Sequence, residues 1–361
     1  MYQRTLTKPD GRALILYADA PIPDGIEAPS PESGRVAANP HLRWHPLRGE
    51  WVAYAGHRDA RTFLPPPEYD PLAPTVRGAP PTELPAGGWD VAVFENRFPT
   101  LTGGAHDAPS AIVDARPAQG VCEVVVYGPE ATGGLGTLPL GRIALLIDVW
   151  ADRTAALGAR DDVKLVMPFE NRGVEVGTTL HHPHGQIYAY PFVPPILARE
   201  LSQQRAYLAE HGRGLVEDHL AAELADGRRV LSSGDEVVAL VPACARWAYE
   251  VWVVPRRRTP SLDALTAAQR TDLARALKTV VLKYDGLWGR PFPYVMVVHQ
   301  APSDGEPHRE AHVHVELYPA YRSRDRLKYL AGSEIGAGMF TNDSLPEAKA
   351  AELRAVEVSV G

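Results

Sequence analysis

A His-x-His pair that runs on into Tyr-Pro occurs twice in this chain, and that recurrence limits the folds open to it more than any other feature. His182-Pro183-His184 leads to Tyr190-Pro191, and His312-Val313-His314 leads to Tyr318-Pro319. The stretches before the two pairs follow one order. Residues 124–127 read as a buried strand closed by Gly128-Pro129, and 251–254 as one ended by Pro255. Leu140, Ile143, Ile147 and Trp150 then fall on one helix face, as do Leu273, Leu277, Val280, Val281 and Tyr284 behind a capping-box pair, Thr266 and Gln269. Strands are expected at 164–169 and 187–190 in the first copy, and at 294–298 and 314–318 in the second. A strand, helix, strand, strand unit is thus duplicated, at a period far longer than a solenoid repeat. The expectation is an α+β body of two pseudo-symmetric halves, 1–192 and 193–361, with a mainly antiparallel sheet and flanking helices. A last helix is expected over 347–356.

Other features narrow the function. Regular pattern begins at Val121. Before it the chain is rich in Pro and Gly, and the eight prolines of 64–85 cannot sit in a helix interior or central strand, so that stretch reads as an irregular surface excursion. The formal charge of -7 argues against a nucleic-acid wrapper or a binder of anionic membranes. Any anionic ligand must therefore meet local basic residues. Cys122 and Cys244 are too few and too far apart for a disulfide framework or a cysteine-rich zinc site. Residues 1–20 lack a signal-peptide run and no stretch is apolar enough to span a membrane, which makes the cytoplasm the expected address.

The chemistry concentrates in His181-His182-Pro183-His184-Gly185-Gln186. In an extended segment His182, His184 and Gln186 share a face, and proline stiffens the presentation. Gly185 would let the backbone approach a ligand, and Gln186 brings a donor and an acceptor. Neutral imidazole is a good nucleophile toward phosphorus when one ring nitrogen is fixed as N–H and the other keeps its lone pair. A His-x-His pair alone suits a metal equally well. The glycine and glutamine that follow favour a phosphate.

Phe169-Glu170-Asn171-Arg172-Gly173, then Thr179, then HHPHGQIYAYPFVP together resemble the active-site segment of galactose-1-phosphate uridylyltransferases, members of the histidine-triad superfamily. The resemblance runs from His45-Pro46-Leu47-Arg48-Gly49-Glu50-Trp51 to Lys328-Tyr329-Leu330-Ala331-Gly332-Ser333-Glu334, most of the chain. It implies a histidine-triad-like fold and ping-pong transfer of a uridylyl group from UDP-glucose to galactose 1-phosphate, with His184 as covalent nucleophile and Gln186 beside it. Arg58 and Arg61 match basic residues near the phosphates. Phe94 and Asn96 match the uridine pocket, Asn171 and Thr179 match polar residues that hold the phosphates, and His182 lies on the substrate side. Lys328 and Glu334 correspond to hexose contacts. No organic cofactor is implied, and relatives are homodimers whose sites borrow residues across the interface. An alternative keeps the covalent histidine but changes substrates, as in nucleoside-diphosphate-sugar phosphorylases or adenylyl-transferring relatives. A non-catalytic binding protein would make Gln186, Arg58, Asn96 and Asn171 beside His184 a coincidence.

Metal binding departs from the family pattern. Many relatives carry CPLCP, a later histidine and the first histidine of HPH as four zinc ligands; this chain reads Asp70-Pro71-Leu72-Ala73-Pro74, and the later histidine position is Ala131, which leaves only His182 and Asp70 as donors. A tetrahedral site needs four donors, so this zinc is expected to be absent and the proline-rich loop held by packing. The resemblance implies a second site at Glu200, His299 and His314, with Glu316 or His312 as fourth ligand, holding one zinc or iron ion per chain.

Overall fold

Valine, isoleucine and tyrosine supply most of the strands, as β-branched and aromatic residues do on a half-buried pleated surface. The computed structural model describes every residue except 33, 35, 61–64, 67–68 and 361, so Arg61 lies outside the described residues. In chain order the first strands are β1 (Tyr2–Thr7), β2 (Ala13–Ala18), β3 (His41–His45), β4 (Glu50–Tyr54), β5 (Val91–Glu95), β6 (Ala115–Pro117) and β7 (Val121–Val126). Helix α1 (Leu140–Gly158) follows, then β8 (Leu165–Arg172) and β9 (His184–Tyr190). Two helices come next, α2 (Pro195–His211) and α3 (Leu215–Asp226), and then β10 (Val230–Ser233), β11 (Val237–Leu240) and β12 (Val251–Pro255). The chain ends with α4 (Ala267–Trp288), β13 (Tyr294–His299), β14 (His314–Pro319) and α5 (Pro346–Arg354).

Eleven strands form one sheet in the order β1-β2-β5-β7-β9-β8-β13-β14-β12-β11-β10, every pair antiparallel. Outward from the central β8–β13 pair, the run β9, β7, β5 on one side answers β14, β12, β11 on the other. The registers answer too. Gln186 lies opposite Phe169 on β8 and Val124 on β7, while Glu316 lies opposite Val297 on β13 and Trp252 on β12. Gln186 and Glu316 therefore hold corresponding places in the two halves.

Helices α1 and α4 bury the faces read from the sequence: Ile143, Ile147 and Trp150 in one, Leu273, Leu277, Val280, Val281 and Tyr284 in the other. Leu140 packs at the margin of the same core. The capping box closes as expected, with Gln269 N donating to Thr266 Oγ1 at 3.2 Å and Thr266 N donating to Gln269 Oε1 at 2.9 Å. One core runs beneath both helices and through both halves of the sheet, joining Val125 and Ile187 to Val253 and Met296. Strand β9 buries Gly185, Ile187 and Ala189 and turns His184, Gln186 and Tyr188 to its less buried face. The side chains that can do chemistry thus stand on the face away from α1.

Two expectations are corrected. Six strands precede Val121, and β1 and β2 pair as an edge hairpin whose turn uses Gly11 at φ +83. The described residues of the proline-rich stretch are irregular, but they are not a mere excursion: they lay Leu72 and Leu84 into a second core with Leu14, Trp89, Phe94 and Val126. Each leucine so buried contributes roughly 1.5–3 kcal/mol. In the second half, α3 covers the corresponding sheet face, where Val216 and Leu220 pack on Val238, Leu240 and Trp252.

Candidate active site and a metal-ligating cluster

The irregular loop and the outer face of β9 enclose a cleft of about 160 Å³, lined by Arg58, Phe94, Asn96, Thr179, His184 and Gln186 among others. Six residues named from sequences more than 120 positions apart meet there. His184 starts β9, and its Nδ1 lies 2.7 Å from the carbonyl oxygen of His182. A carbonyl only accepts, so Nδ1 carries the proton and Nε2 keeps its lone pair. Burial pushes the His184 pKa below the ordinary histidine value, outweighing the carbonyl bond that raises it. The ring is therefore held neutral in the tautomer that nucleophilic attack needs. Gln186, two residues on, shares its face and offers an amide beside it.

Gly185 has a different role from the one expected. It does not line the cleft; a Cβ there would come within 2.6 Å of Tyr127 Oη and 2.9 Å of the Phe169 carbonyl oxygen. Only glycine lets β9 lie this close to β8 over the Tyr127 ring. Tyr127 donates in turn to Glu170 at 3.1 Å, Tyr294 donates to the other oxygen of Glu170 at 3.3 Å, and burial pushes this carboxyl up to about 7. Strand β9 thus rests on a buried polar network at the junction of the two halves.

The remaining residues divide by position. Arg58, on the short 3-10 turn Gly56–Ala60, donates to the Phe98 carbonyl at 2.6 Å, and guanidinium N–H groups not used in that bond are available to a phosphate. Asn96 Oδ1 accepts from Phe98 N at 2.8 Å, leaving its NH₂ as the free hydrogen-bonding edge. Phe94 has Lys8 Nζ 5.0 Å from its ring centroid, a cation–π contact that fixes the aromatic wall. Asn171 sits on β8 opposite Val295 and does not line the cleft. Lys328 and Glu334 pair with each other at 3.3 Å and are likewise outside the lining of this chain's own cleft. Tyr69, Leu72 and Glu83 line it as well, which the sequence did not suggest.

His182 is also moved. Its side chain is wholly buried behind His184, with Nδ1 2.7 Å from Asp70 Oδ2 and Nε2 2.8 Å from the Gly128 carbonyl oxygen. Both ring nitrogens are engaged within the protein, so the ring supports the nucleophile segment instead of offering an atom to the substrate. The loop is accordingly held by this polar contact as well as by the packing of Leu72.

Across the pseudo-symmetry axis, Glu200 of α2, His299 of β13 and His314 of β14 each bring one ligand atom within 4.8 Å of the others. His299 Nδ1 lies 2.7 Å from Glu200 Oε2, and Glu316 approaches both imidazoles, at 3.4 Å from His314 Nε2 and 3.7 Å from His299 Nε2. His312 repeats His182: its Nε2 is 2.8 Å from the Pro255 carbonyl oxygen. Two imidazoles with two carboxylates form a donor set that fits zinc or iron.

His314 Nδ1 lies 2.9 Å from the His312 carbonyl oxygen, so the backbone device around the second histidine pair copies the first. What differs is the residue two places on. An amide at Gln186 can donate to a phosphate oxygen, whereas a carboxylate at Glu316 attracts a cation and repels phosphate. The two halves thus present opposite chemistry at corresponding positions, an amide donor in the first and a carboxylate in the second.

Comparison with known proteins agrees over nearly the whole chain. Residues 32–194 match the N-terminal domain of galactose-1-phosphate uridyl transferase and residues 200–360 match its C-terminal domain. The galactose-1-phosphate uridylyltransferase of Thermotoga maritima is 37% identical over 326 residues, which cover 88% of this chain and 99% of that protein. That of Streptomyces lividans is 36% identical over 298 residues, 81% of this chain and 79% of the other. A solved uridylyltransferase structure superposes with a TM-score of 0.78 at 33% identity, covering 88% of this chain and 98% of that one. With both halves matched and a relative of 37% identity covered nearly end to end, the chain belongs to the galactose-1-phosphate uridylyltransferase family.

Proposed function

We propose that the protein transfers UMP from UDP-glucose to galactose 1-phosphate by a ping-pong route through a uridylyl-histidine. His184 Nε2 attacks the α-phosphorus, a P–N bond forms, and the P–O bond to glucose 1-phosphate breaks. Galactose 1-phosphate then attacks the same phosphorus, UDP-galactose leaves, and the imidazole is regenerated. The observation that carries this reading is the His184 Nδ1 contact to the His182 carbonyl, with the Gln186 amide on the same face. Phe94 and the Asn96 NH₂ suit a uracil ring's face and carbonyl edge, and Arg58 and Thr179 suit the phosphates. A comparison of donors tests it: UDP-glucose should uridylylate the protein and ADP-glucose should not do so at a comparable rate. Preference for ADP-glucose would favour an adenylyl-transferring relative instead.

Lys328 and Glu334 support a homodimer in which each chain completes its partner's hexose site, since neither lines the cleft of its own chain. The two free cysteines suit a reducing compartment, so the cytoplasm is the proposed location. Glu200, His299, His314 and Glu316 would hold one zinc or iron ion, which would tie α2 to the central sheet. The role of such an ion is structural, because its ligands stand in the half that lacks the phosphate-facing amide. Elemental analysis should find about one equivalent of metal per chain in the native protein, falling toward zero in His299→Ala. Two equivalents, or full retention in His299→Ala, would contradict this ligand set.

A further inference from the structure

Asp70 and His182 are 112 positions apart, yet Asp70 Oδ2 and His182 Nδ1 meet at 2.7 Å. The carboxylate makes a second bond that shapes its own loop: Oδ1 accepts from Leu72 N at 2.9 Å. On the far side of the ring, His182 Nε2 is held by the Gly128 carbonyl at the end of β7. The imidazole is thus fixed at both nitrogens, and its residue's carbonyl oxygen is the acceptor that sets the tautomer of His184. Burial opposes ionisation of Asp70, but the His182 hydrogen bond and charge outweigh it and hold the carboxyl below its ordinary range. The other end of the loop is tied as firmly. Glu83 Oε2 lies 2.6 Å from Lys8 Nζ and 2.8 Å from Arg12 Nη2, and Glu83 N donates to the Pro71 carbonyl at 2.9 Å. Between these two ties, Leu72 enters the core and, with Tyr69 and Glu83, lines the cleft beside His184.

The geometry points to Asp70 as a positioning residue for the transfer reaction, clasping the proline-rich wall of the cleft to the nucleophile segment through His182. This segment has no thiolate, so a hydrogen-bonded carboxylate and imidazole do here what four metal ligands would do elsewhere. Asp70 touches no reacting atom. It acts by fixing His182, whose carbonyl fixes His184 Nδ1–H.

The inference rests on the uridylyl-transfer reading of the cleft, and one experiment separates the two. Single-turnover uridylylation by UDP-glucose is followed in wild type, Asp70→Ala and Asp70→Asn, with rate constants read on the competent fraction so that loss of folded protein lowers the amplitude and not the rate. Alanine severs the clasp. Asparagine keeps the loop bond through Oδ1 and can donate Nδ2–H to His182 Nδ1. Asp70→Ala should be slower by roughly tenfold to a hundredfold, the scale on which partners orienting a reactive imidazole act, and Asp70→Asn should stay within about threefold of wild type. A wild-type rate in Asp70→Ala, or an Asp70→Asn as slow as Asp70→Ala, would overturn the positioning role while leaving the transfer reading intact. Absence of any uridylylation of the wild type would remove that reading and the role of Asp70 with it.

Discussion

His184→Ala is expected to lose turnover by at least about ten-thousandfold, the scale of removing a covalent nucleophile, while still folding and binding UDP-glucose. The ring lies on the less buried face of β9 and is not part of the sheet's core, so its removal takes away the lone pair more than the packing. Arg58, Phe94, Asn96 and Thr179 remain to hold the nucleotide. The same nitrogen predicts the pH profile. Protonated imidazole has no lone pair, and burial holds the His184 pKa below the ordinary histidine value of about 6.5. The rate of uridylylation should therefore stay on its plateau as pH falls through about 6.5 and decline only at more acid pH. Steady-state assays of the variant and a single-turnover pH series on the wild type check both statements. Substantial turnover by His184→Ala would move the nucleophile elsewhere.

The second large effect belongs to Gln186. Its position is fixed between Val124 on β7 and Phe169 on β8, which aims the side chain beside His184. A donated N–H to a non-bridging oxygen of the α-phosphate gains strength as charge develops there, so Gln186→Ala should slow both half-reactions by on the order of a hundredfold. Binding of UDP-glucose should change little, because the contact matters most in the transition state. Gln186→Glu should be at least as damaging, since a carboxylate there, the residue type found at the corresponding Glu316, would repel the α-phosphate. Rapid-quench measurement of each half-reaction separates these effects. If Gln186→Ala uridylylates at the wild-type rate, the side chain is structural only.

What could be read from the sequence was what repeats at short range. The apolar faces of α1 and α4 follow the 3.6-residue period, Thr266 and Gln269 are three apart, and the two histidine pairs announce both a duplication and a reactive face. Contacts between distant segments carry no such mark. That Asp70 lies near His182 follows only from the family's zinc-ligand positions, and nothing local tells that Glu83 closes on Lys8 and Arg12 or that Leu72 completes a core. Helices α2 and α3 escaped notice because few of their residues are buried, Leu197, Leu201 and Gln204 in the first and Val216, Leu220 and Glu223 in the second, too sparse a face to stand out from polar surroundings. At Gly185 the glycine permits close approach, but the sequence does not say what approaches, and here it is Tyr127. His182 shares a strand-like alternation with His184, yet its ring is claimed by Asp70 and Gly128 before any ligand arrives.

Whether His184 Nε2 itself carries the nucleotidyl group is read from the intact mass of the protein after incubation with UDP-glucose. Wild-type protein should gain one uridylyl group per chain and lose it on addition of galactose 1-phosphate, and His184→Ala should gain none. A full-yield adduct on His184→Ala, or none on the wild type, would contradict the account.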